Sequence, residues 1–339
     1  MRPVRTETSE PKVVAISVSD IHLSQLAPVA RAGESDWFRA MRRPLEELCF
    51  LQKALDVPVL LSGDLFHHWR SSPELINFAM NELPFMYAIP GQHDLPYHDF
   101  GQVKKSAYWT LEQAGTIQTV TPAGTRVRGL HLFGYPWGVP VTPPTETGGM
   151  VIGLVHKYVW LAGDAMTKFS NASEDDAIGY MTSDGRKDET LARYPFQVTL
   201  FGDNHITFGA TTQDIIETHP FENIPRKKGT GRLTTVWNSG SLMRRNADQV
   251  NHKPCVGMVR EDGSVVPHYL DTSKDVISTA HIGREQGSEY AEAFAPFLDQ
   301  LRDLKGTVLD YPEAIRQVIG KCSPNVKKLL LEALDARGD

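Results

Sequence analysis

The 339-residue sequence predicts an α/β fold, on two observations. From Val13 to Ile89, short β-branched strands alternate with helical stretches, an order that needs parallel strands joined by crossovers. Apolar strands also run, five times over, into loops bearing Gly, Asp or His. The C-terminal ends of strands are where open α/β sheets form ligand crevices.

The elements follow in order. Val13 to Val18 reads as a buried strand delivering Asp20 at its C-terminal edge. Phe38, Met41, Leu45, Leu48, Leu51 and Leu55 recur at helical spacing, which predicts a covering helix over Asp36 to Leu55. Val57 to Leu61 is a second strand, ending at Gly63-Asp64. A helix over Glu74 to Asn81 leads to a third strand, Phe85 to Ile89, which ends at Pro90-Gly91. Ile117 to Tyr135 reads as a meander broken at Pro122-Ala-Gly124 and Gly129, and Trp137 to Gly149 as a Pro/Thr/Gly-rich loop. Val151 to Val155 is a strand ending at His156. Residues 157–195 are polar, with an acidic patch at Glu174-Asp175-Asp176, and read as an insertion or lid. Gln197 to Phe201 runs into Gly202-Asp203, and strand-like segments continue over Leu233 to Trp237, Cys255 to Arg260 and Ser264 to Leu270. From about Asp275 the pattern turns helical and charged, over 285–304, 312–320 and 324–337. Ser323-Pro324 gives the last of these an N-cap followed by Pro at the first helical position. The division expected is a main domain over 1–272 and a helical segment over 273–339.

Lys plus Arg number 35 against 41 Asp plus Glu, a net charge of −6, so no global basic field advertises a nucleic-acid binder. Local charge along a groove would still suffice for phosphate contacts. Cys49, Cys255 and Cys322 form neither a disulfide framework nor a CxxC pair, which points to a reducing compartment. Met1 to Lys12 lacks the apolar stretch of a signal peptide, and no run approaches the roughly 18 apolar residues of a membrane span. The expectation is a cytoplasmic protein with no membrane partner.

The loops that end the five strands are Asp20-Ile-His22, Gly63-Asp64, Gly91-Gln92-His93-Asp94, His156 and Gly202-Asp203-Asn204-His205. Hard divalent ions such as Mn²⁺ take oxygen and imidazole ligands, and two ions roughly 3.5–4 Å apart need a shared carboxylate. Singly, each motif has a bland reading: a tight turn for Gly63-Asp64, a Pro-Gly turn for Gly91, a satisfied core or surface residue for any lone His. Their joint order, each after its own strand, is hard to obtain by accident.

That order, from about Val13 to Leu270, resembles the calcineurin-like metallophosphoesterase superfamily, with its DxH, GDxxD/H, GNH[D/E], lone His and GHxH motifs. Gly63-Asp-Leu-Phe-His67 and Asn238-Ser-Gly-Ser-Leu-Met-Arg244 are similar to segments of the SbcD-type nuclease subunit of DNA double-strand-break repair, and the helix-ended length to its phage versions. The resemblance implies a four-layer sandwich, two mixed β-sheets flanked by helices, with a small helical C-terminal extension. It implies two divalent ions, Mn²⁺ with Mg²⁺ as the alternative. Asp20, His22 and His205 match ligands of the first ion, Asp64 the bridging carboxylate, and Gln92, His156 and Asp203 the second site. His93 matches the residue that stabilises the transition state or protonates the leaving group, Asp94 the carboxylate that orients it, and His67 a His near the DNA phosphate. Two positions depart: Gln92 stands where the family has Asn, and Asp203 where it has His. The activity implied is a DNA exonuclease with single-strand endonuclease activity in repair, recombination or replication, working with an SbcC-type, SMC-like ATPase, in the host cytoplasm if phage-encoded. Homodimers form in the family through helices that here would be Glu74–Asn81 and Lys104–Gln113. Two other readings stay open: a phosphoesterase acting on nucleotides, cyclic nucleotides or phosphoproteins, and an inactive scaffold.

Outside the motifs, Arg226, Lys227 and Lys228 with Arg232, and Arg244-Arg245, are basic clusters. They read either as solvated hairpin tips or as contacts to a DNA backbone. Trp137, Tyr158 and Trp160 read as packing or as base-stacking residues. Val326, Leu329, Leu330 and Leu334 form an apolar helical face that packs on its own domain or takes the ATPase partner.

Overall fold

The computed structural model describes residues 10–144, 148–161, 164–168, 176–178, 196–211 and 234–278. The chain divides into two units, Met1–Val276 and Ile277–Asp339, and of the described residues only Ile277 and Ser278 fall in the second.

Strands β1 (Val13–Val18), β2 (Val59–Leu61), β3 (Met86–Ala88) and β4 (Ile117–Thr119) lie side by side in parallel. Parallel pairs need crossovers. Those here run through α1 (Trp37–Leu55), α2 (Pro73–Glu82) and α3 (Ala107–Gln113). The helices start where side chains can take up orphan N–H groups. Asp36 accepts from Arg39 N at 3.0 Å and Ser72 from Leu75 N at 3.1 Å, with Pro73 at the first helical position. Strands β13 (Cys255–Arg260) and β14 (Val265–Tyr269) add antiparallel to the free side of β1, giving the order β14-β13-β1-β2-β3-β4.

A second six-stranded sheet holds β5 (Thr125–Val127), β6 (Leu130–Tyr135), β7 (Met150–His156), β10 (Val198–Gly202), β11 (Phe208–Thr211) and β12 (Thr235–Asn238), in the order β11-β12-β10-β7-β6-β5. Its four central strands are parallel, and its two edges antiparallel. Strands β8 (Trp160–Leu161) and β9 (Ala177–Ile178) pair separately. The fold is thus α/β with two mixed sheets flanked by helices. One expectation is corrected: Ile117 to Tyr135 is no meander. Strand β4 closes the first sheet, and the chain then crosses to begin the second with the β5–β6 hairpin. Periodicity cannot distinguish these, because both are short apolar strands broken by turns.

The core is stacked accordingly. Val18, Val59 and Leu61 meet Met41, Leu45 and Leu48 of α1 on the outer face of the first sheet. Leu60, Ile89, Leu132, Leu154 and Leu200 fill the space between the sheets. Phe133, Tyr135, Phe196 and Phe201 pack on the far face of the second. Residues 226–228, 232 and 285–337, with Cys322, lie outside the described residues, as does most of the 157–195 segment. Among the described residues no helix is long and apolar enough to cross a membrane.

Candidate metal centre

Both sheets run parallel at their centres, so the C-terminal ends of β1, β2, β3, β7 and β10 all come to one crevice. The chain turns sharply as it leaves several of them. Asp20, His22, Asp64 and Asp203 adopt left-handed backbone, with φ of 51°, 50°, 55° and 86°. This region costs an ordinary residue roughly 1 kcal/mol or more, and non-glycine residues held there cluster at functional sites. Here the turns aim carboxylates and an imidazole inward.

The side chains form one continuous cluster. Asp20, His22, Asp64, Asp94 and His156 are all at most 2% exposed. His22 Nε2 lies 3.1 Å from His205 Nε2, 3.9 Å from Asp20 Oδ1 and 3.6 Å from Asp64 Oδ2. His205 Nε2 is 3.8 Å from Asp20 Oδ1. On the other side, His156 Nε2 lies 3.6 Å from Asp64 Oδ1. Asp64 sits between the two groups, and one of its oxygens, the buried Oδ2, has no hydrogen-bond partner. An orphaned carboxylate oxygen in the interior is costly without a counter-charge. Asp20–His22–His205 and Asp20–Asp64–His156 each present ligand atoms close enough together to hold a metal ion, as do His22–His67–His93. Hard oxygen and imidazole donors suit the divalent ions expected.

Gln92 and Asp203, the two positions that depart from the motifs the sequence resembles, bond to each other. Gln92 Nε2 donates to Asp203 Oδ1 at 2.5 Å, which turns its Oε1 toward His156 Nε2 at 2.6 Å. His156 Nδ1 faces the Ser62 carbonyl at 2.6 Å. Both ring nitrogens therefore meet acceptors, and the imidazolium form satisfies both. Burial disfavours that form, but the carboxylates of Asp64, Asp20 and Asp203 outweigh it and push His156 up to about 10. His22 behaves oppositely: burial first, then His205, His93 and Arg245, hold it well below its usual value, in the neutral form a metal needs. Burial would raise Asp64, yet the surrounding His156, His22 and His93 hold it below the usual carboxylate range.

These shifts fix a pH dependence. Because His156 titrates near 10 in the metal-free protein, an ion taken up there must displace its proton. Affinity on that side should rise with pH up to about 10, and binding at pH 8 should release a proton. Calorimetry in buffers of different ionisation enthalpy measures this; buffer-independent heats would contradict it. The same raised value favours the folded metal-free protein below about 6.5, an advantage lost as pH rises through about 10.

Three glycines make room for His156. A Cβ on Gly63 would stand 2.1 Å from its Nδ1, one on Gly202 2.8 Å from Nδ1, and one on Gly91 2.6 Å from Nε2. Only Gly63, at φ +101°, also needs the backbone freedom.

Several sequence-predicted roles change. The Asp94 carboxylate does not orient the His93 ring. It accepts backbone N–H groups from Leu65 (3.0 Å), Phe66 (2.8 Å) and Gly91 (3.0 Å), tying two site loops together. Burial and the nearby Asp64 push it up to about 7 despite these bonds. The His93 ring is held instead by Nδ1 on the His67 carbonyl at 2.9 Å, with Nε2 4.0 Å from Asp64 Oδ2. Arg244 and Arg245 are not a free exposed pair, because the protein itself engages both guanidiniums. Arg245, 6% exposed, donates from Nη1 to the His22 carbonyl at 2.5 Å. Arg244 grips Asp275 through Nε and Nη2, each at 3.1 Å. Guanidinium forks suit such buried carbonyl and carboxylate pairing. Trp160 is buried and Tyr158 donates to the Thr167 carbonyl at 2.8 Å, so both are packing residues; Trp137 lies edge-on to His156 at 6.4 Å.

From sequence, Asn238 and Ser239 stand out only as part of the Asn238–Arg244 segment, and Asn204 only within Gly202–His205, none with a role of its own. Asn204 Nδ2 donates to the Val159 and Thr167 carbonyls, both at 2.8 Å. Asn238 Nδ2 donates to the carbonyls of Asn204 (2.6 Å) and Ile206 (2.7 Å), fixing the loop that carries Asp203 and His205. Ser239 Oγ joins the second sheet to the Ser17 carbonyl at 3.2 Å.

No protein-family model matches the chain, and no functionally curated protein does. Among solved structures, a metallophosphoesterase from Sphaerobacter thermophilus shares 12% identity over 82% of this chain and 96% of its own, with a TM-score of 0.37. The calcineurin-like phosphoesterase YfkN from Bacillus subtilis shares 11% over 80% and 89%, at a TM-score of 0.38. The NAD nucleotidase of Haemophilus influenzae shares 13% over 87% of this chain and 57% of its own, at 0.35. Likeness at this level carries no chemistry, which rests on the residues of this chain.

Proposed function

We propose that this chain is a calcineurin-like, metal-dependent phosphodiesterase that cleaves DNA. The observation that carries the reading is Asp64: a buried carboxylate with an orphaned Oδ2, standing between His22 and His156 at 3.6 Å from each. Asp20, His22 and His205 would hold one divalent ion, His156 with Gln92 and Asp203 a second, and Asp64 would be shared. Such ions supply positive charge for the non-bridging phosphate oxygens and a water acidified enough to attack phosphorus at neutral pH. The protein supplies the rest. Its buried carboxylates and imidazoles are prepositioned by backbone turns, so little reorganisation is needed. His93, at 38% side-chain exposure the most open imidazole of those paired with Asp64, keeps Nδ1 on the His67 carbonyl and Nε2 toward Asp64. In this reading it would stabilise the pentacoordinate transition state or protonate the departing oxygen.

The nuclease reading is supported by Gly63-Asp-Leu-Phe-His67, which brings His67 into a stack on His93 with centroids 5.3 Å apart, and by the Asn238–Arg244 segment, whose residues brace the site. It includes exonuclease and single-strand endonuclease activity with Mn²⁺, and an SbcC-type ATPase bound through the residues after about 305. A panel of linear DNA, bis(p-nitrophenyl) phosphate and p-nitrophenyl phosphate with Mn²⁺ tests it. Hydrolysis of DNA and the diester is expected. Hydrolysis of the monoester alone would overturn it in favour of a phosphomonoesterase.

A further inference from the structure

The imidazoles of the metal centre do not end at His93. His67 stacks on His93 with 17° between the ring planes. Beyond it, His68 stacks on Trp69 at 5.5 Å and 28°, and Trp69 faces Tyr97 at 6.3 Å and 42°. His68 is exposed, Trp69 half-buried and Tyr97 60% exposed. An aromatic group open to solvent therefore begins at the residue that follows His67 in the chain.

The strip is held in place from behind. The Trp69 carbonyl accepts from Ala107 N, at the start of α3, at 2.8 Å. Tyr97 and its neighbour His98 are consecutive left-handed residues, with φ of 56° and 57°. Neither is glycine, and a strained pair beside a site is a feature that function, not packing, explains best. Exposed cations flank the strip in the chain: Arg70 directly after Trp69, and Lys104 and Lys105 just before Ala107. Lys104 Nζ lies 5.7 Å from the Trp109 ring. One exposed carboxylate, Asp99, also lies here, and it is engaged by Gly101 N at 2.8 Å.

Exposed aromatic faces beside cations are the means by which proteins grip single-stranded nucleic acid, since every base offers a π-face and every linkage a charge. In a duplex those faces are covered by neighbouring bases. We propose that His68, Trp69 and Tyr97 form a subsite that stacks unpaired nucleobases next to the phosphodiester being cleaved, so that single-stranded or frayed ends are the substrate taken. The inference rests on the phosphodiesterase reading of the metal centre and adds residues to it that no metal or catalytic motif contains.

The test is fluorescence anisotropy with labelled oligothymidylate and with the same oligomer carrying tetrahydrofuran (baseless) residues, in EDTA so that nothing is cleaved. The wild type should bind the base-containing strand more tightly by about 5- to 150-fold, the contribution of one stacked base. Tyr97→Ala and Trp69→Ala should bring that ratio toward one, and Trp69→Phe should restore it. Tyr97→Leu, at an exposed residue, keeps the test open if Trp69→Ala does not fold. A wild-type ratio near one, or variants that keep the wild-type ratio, would overturn the subsite. Selective binding by a protein that hydrolyses no diester with Mn²⁺ would instead overturn the phosphodiesterase reading and leave the stacking strip standing.

Discussion

Asp64→Ala is expected to abolish metal-dependent diester hydrolysis. Among the described residues Asp64 is the carboxylate paired with all three of His22, His156 and His93, at 3.6, 3.6 and 4.0 Å. Its removal takes the shared ligand from both proposed ions and the principal counter-charge from His156. Loss of a group one step removed from a metal costs about 10–100-fold, so loss of the bridging carboxylate should exceed that. Asp64→Asn keeps the shape and removes the charge, and it should fail almost as completely. Turnover of bis(p-nitrophenyl) phosphate, read beside metal content per chain, checks both. A folded Asp64→Ala protein with wild-type turnover would refute the assignment.

Gly91→Ala should do nearly as much damage with a single methyl group. At φ −91° alanine meets no backbone penalty, so the effect isolates space. The new Cβ would stand 2.1 Å from Asp64 Oδ1, 2.5 Å from Asp64 N and 2.6 Å from His156 Nε2. None of these atoms is the free end of a flexible chain. Asp64 N is backbone, and His156 is wedged by Gly63 and Gly202 as well. Overpacking of this kind costs about 1–3 kcal/mol in stability. Displacing two ligands should also lower metal affinity on the His156 side. Gly148→Ala is the control, because its nearest contact is 3.8 Å away. Thermal melts with and without Mn²⁺ distinguish them. A Gly91→Ala protein that gains as much stability from Mn²⁺ as the wild type would contradict the packing account.

Much of the site was legible because its chemistry sits at strand ends, where a β-branched run meets Gly, Asp or His. Asp20, Asp64, His93, His156 and Asp203 were all singled out this way, and the structure brings them to one crevice. The sequence could not show which partner each side chain takes. Asp94 follows His93 directly, yet a one-residue offset in a tight 3-10 turn sends its carboxylate to three backbone N–H groups, two of them far away in the chain. Arg244 and Arg245 look like an exposed basic pair, but their partners, Asp275 and the His22 carbonyl, are 31 and 223 residues away. Composition carries no record of such pairings. The sheet crossing after β4 was hidden for a related reason: whether a short strand pairs with its neighbour or starts a new sheet is decided by long-range register, not by local pattern. Glycine was read as a turn former, whereas at Gly91 and Gly202 its value is the missing Cβ beside His156.

The central claim is that one buried carboxylate organises two metal ions for diester cleavage. It is tested most directly by titrating the EDTA-stripped protein with Mn²⁺ and following hydrolysis of bis(p-nitrophenyl) phosphate. Activity is predicted to be absent without metal and to rise until two equivalents per chain are bound. A folded chain that takes up Mn²⁺ and stays inactive, or that cleaves the diester equally well in EDTA, would contradict it.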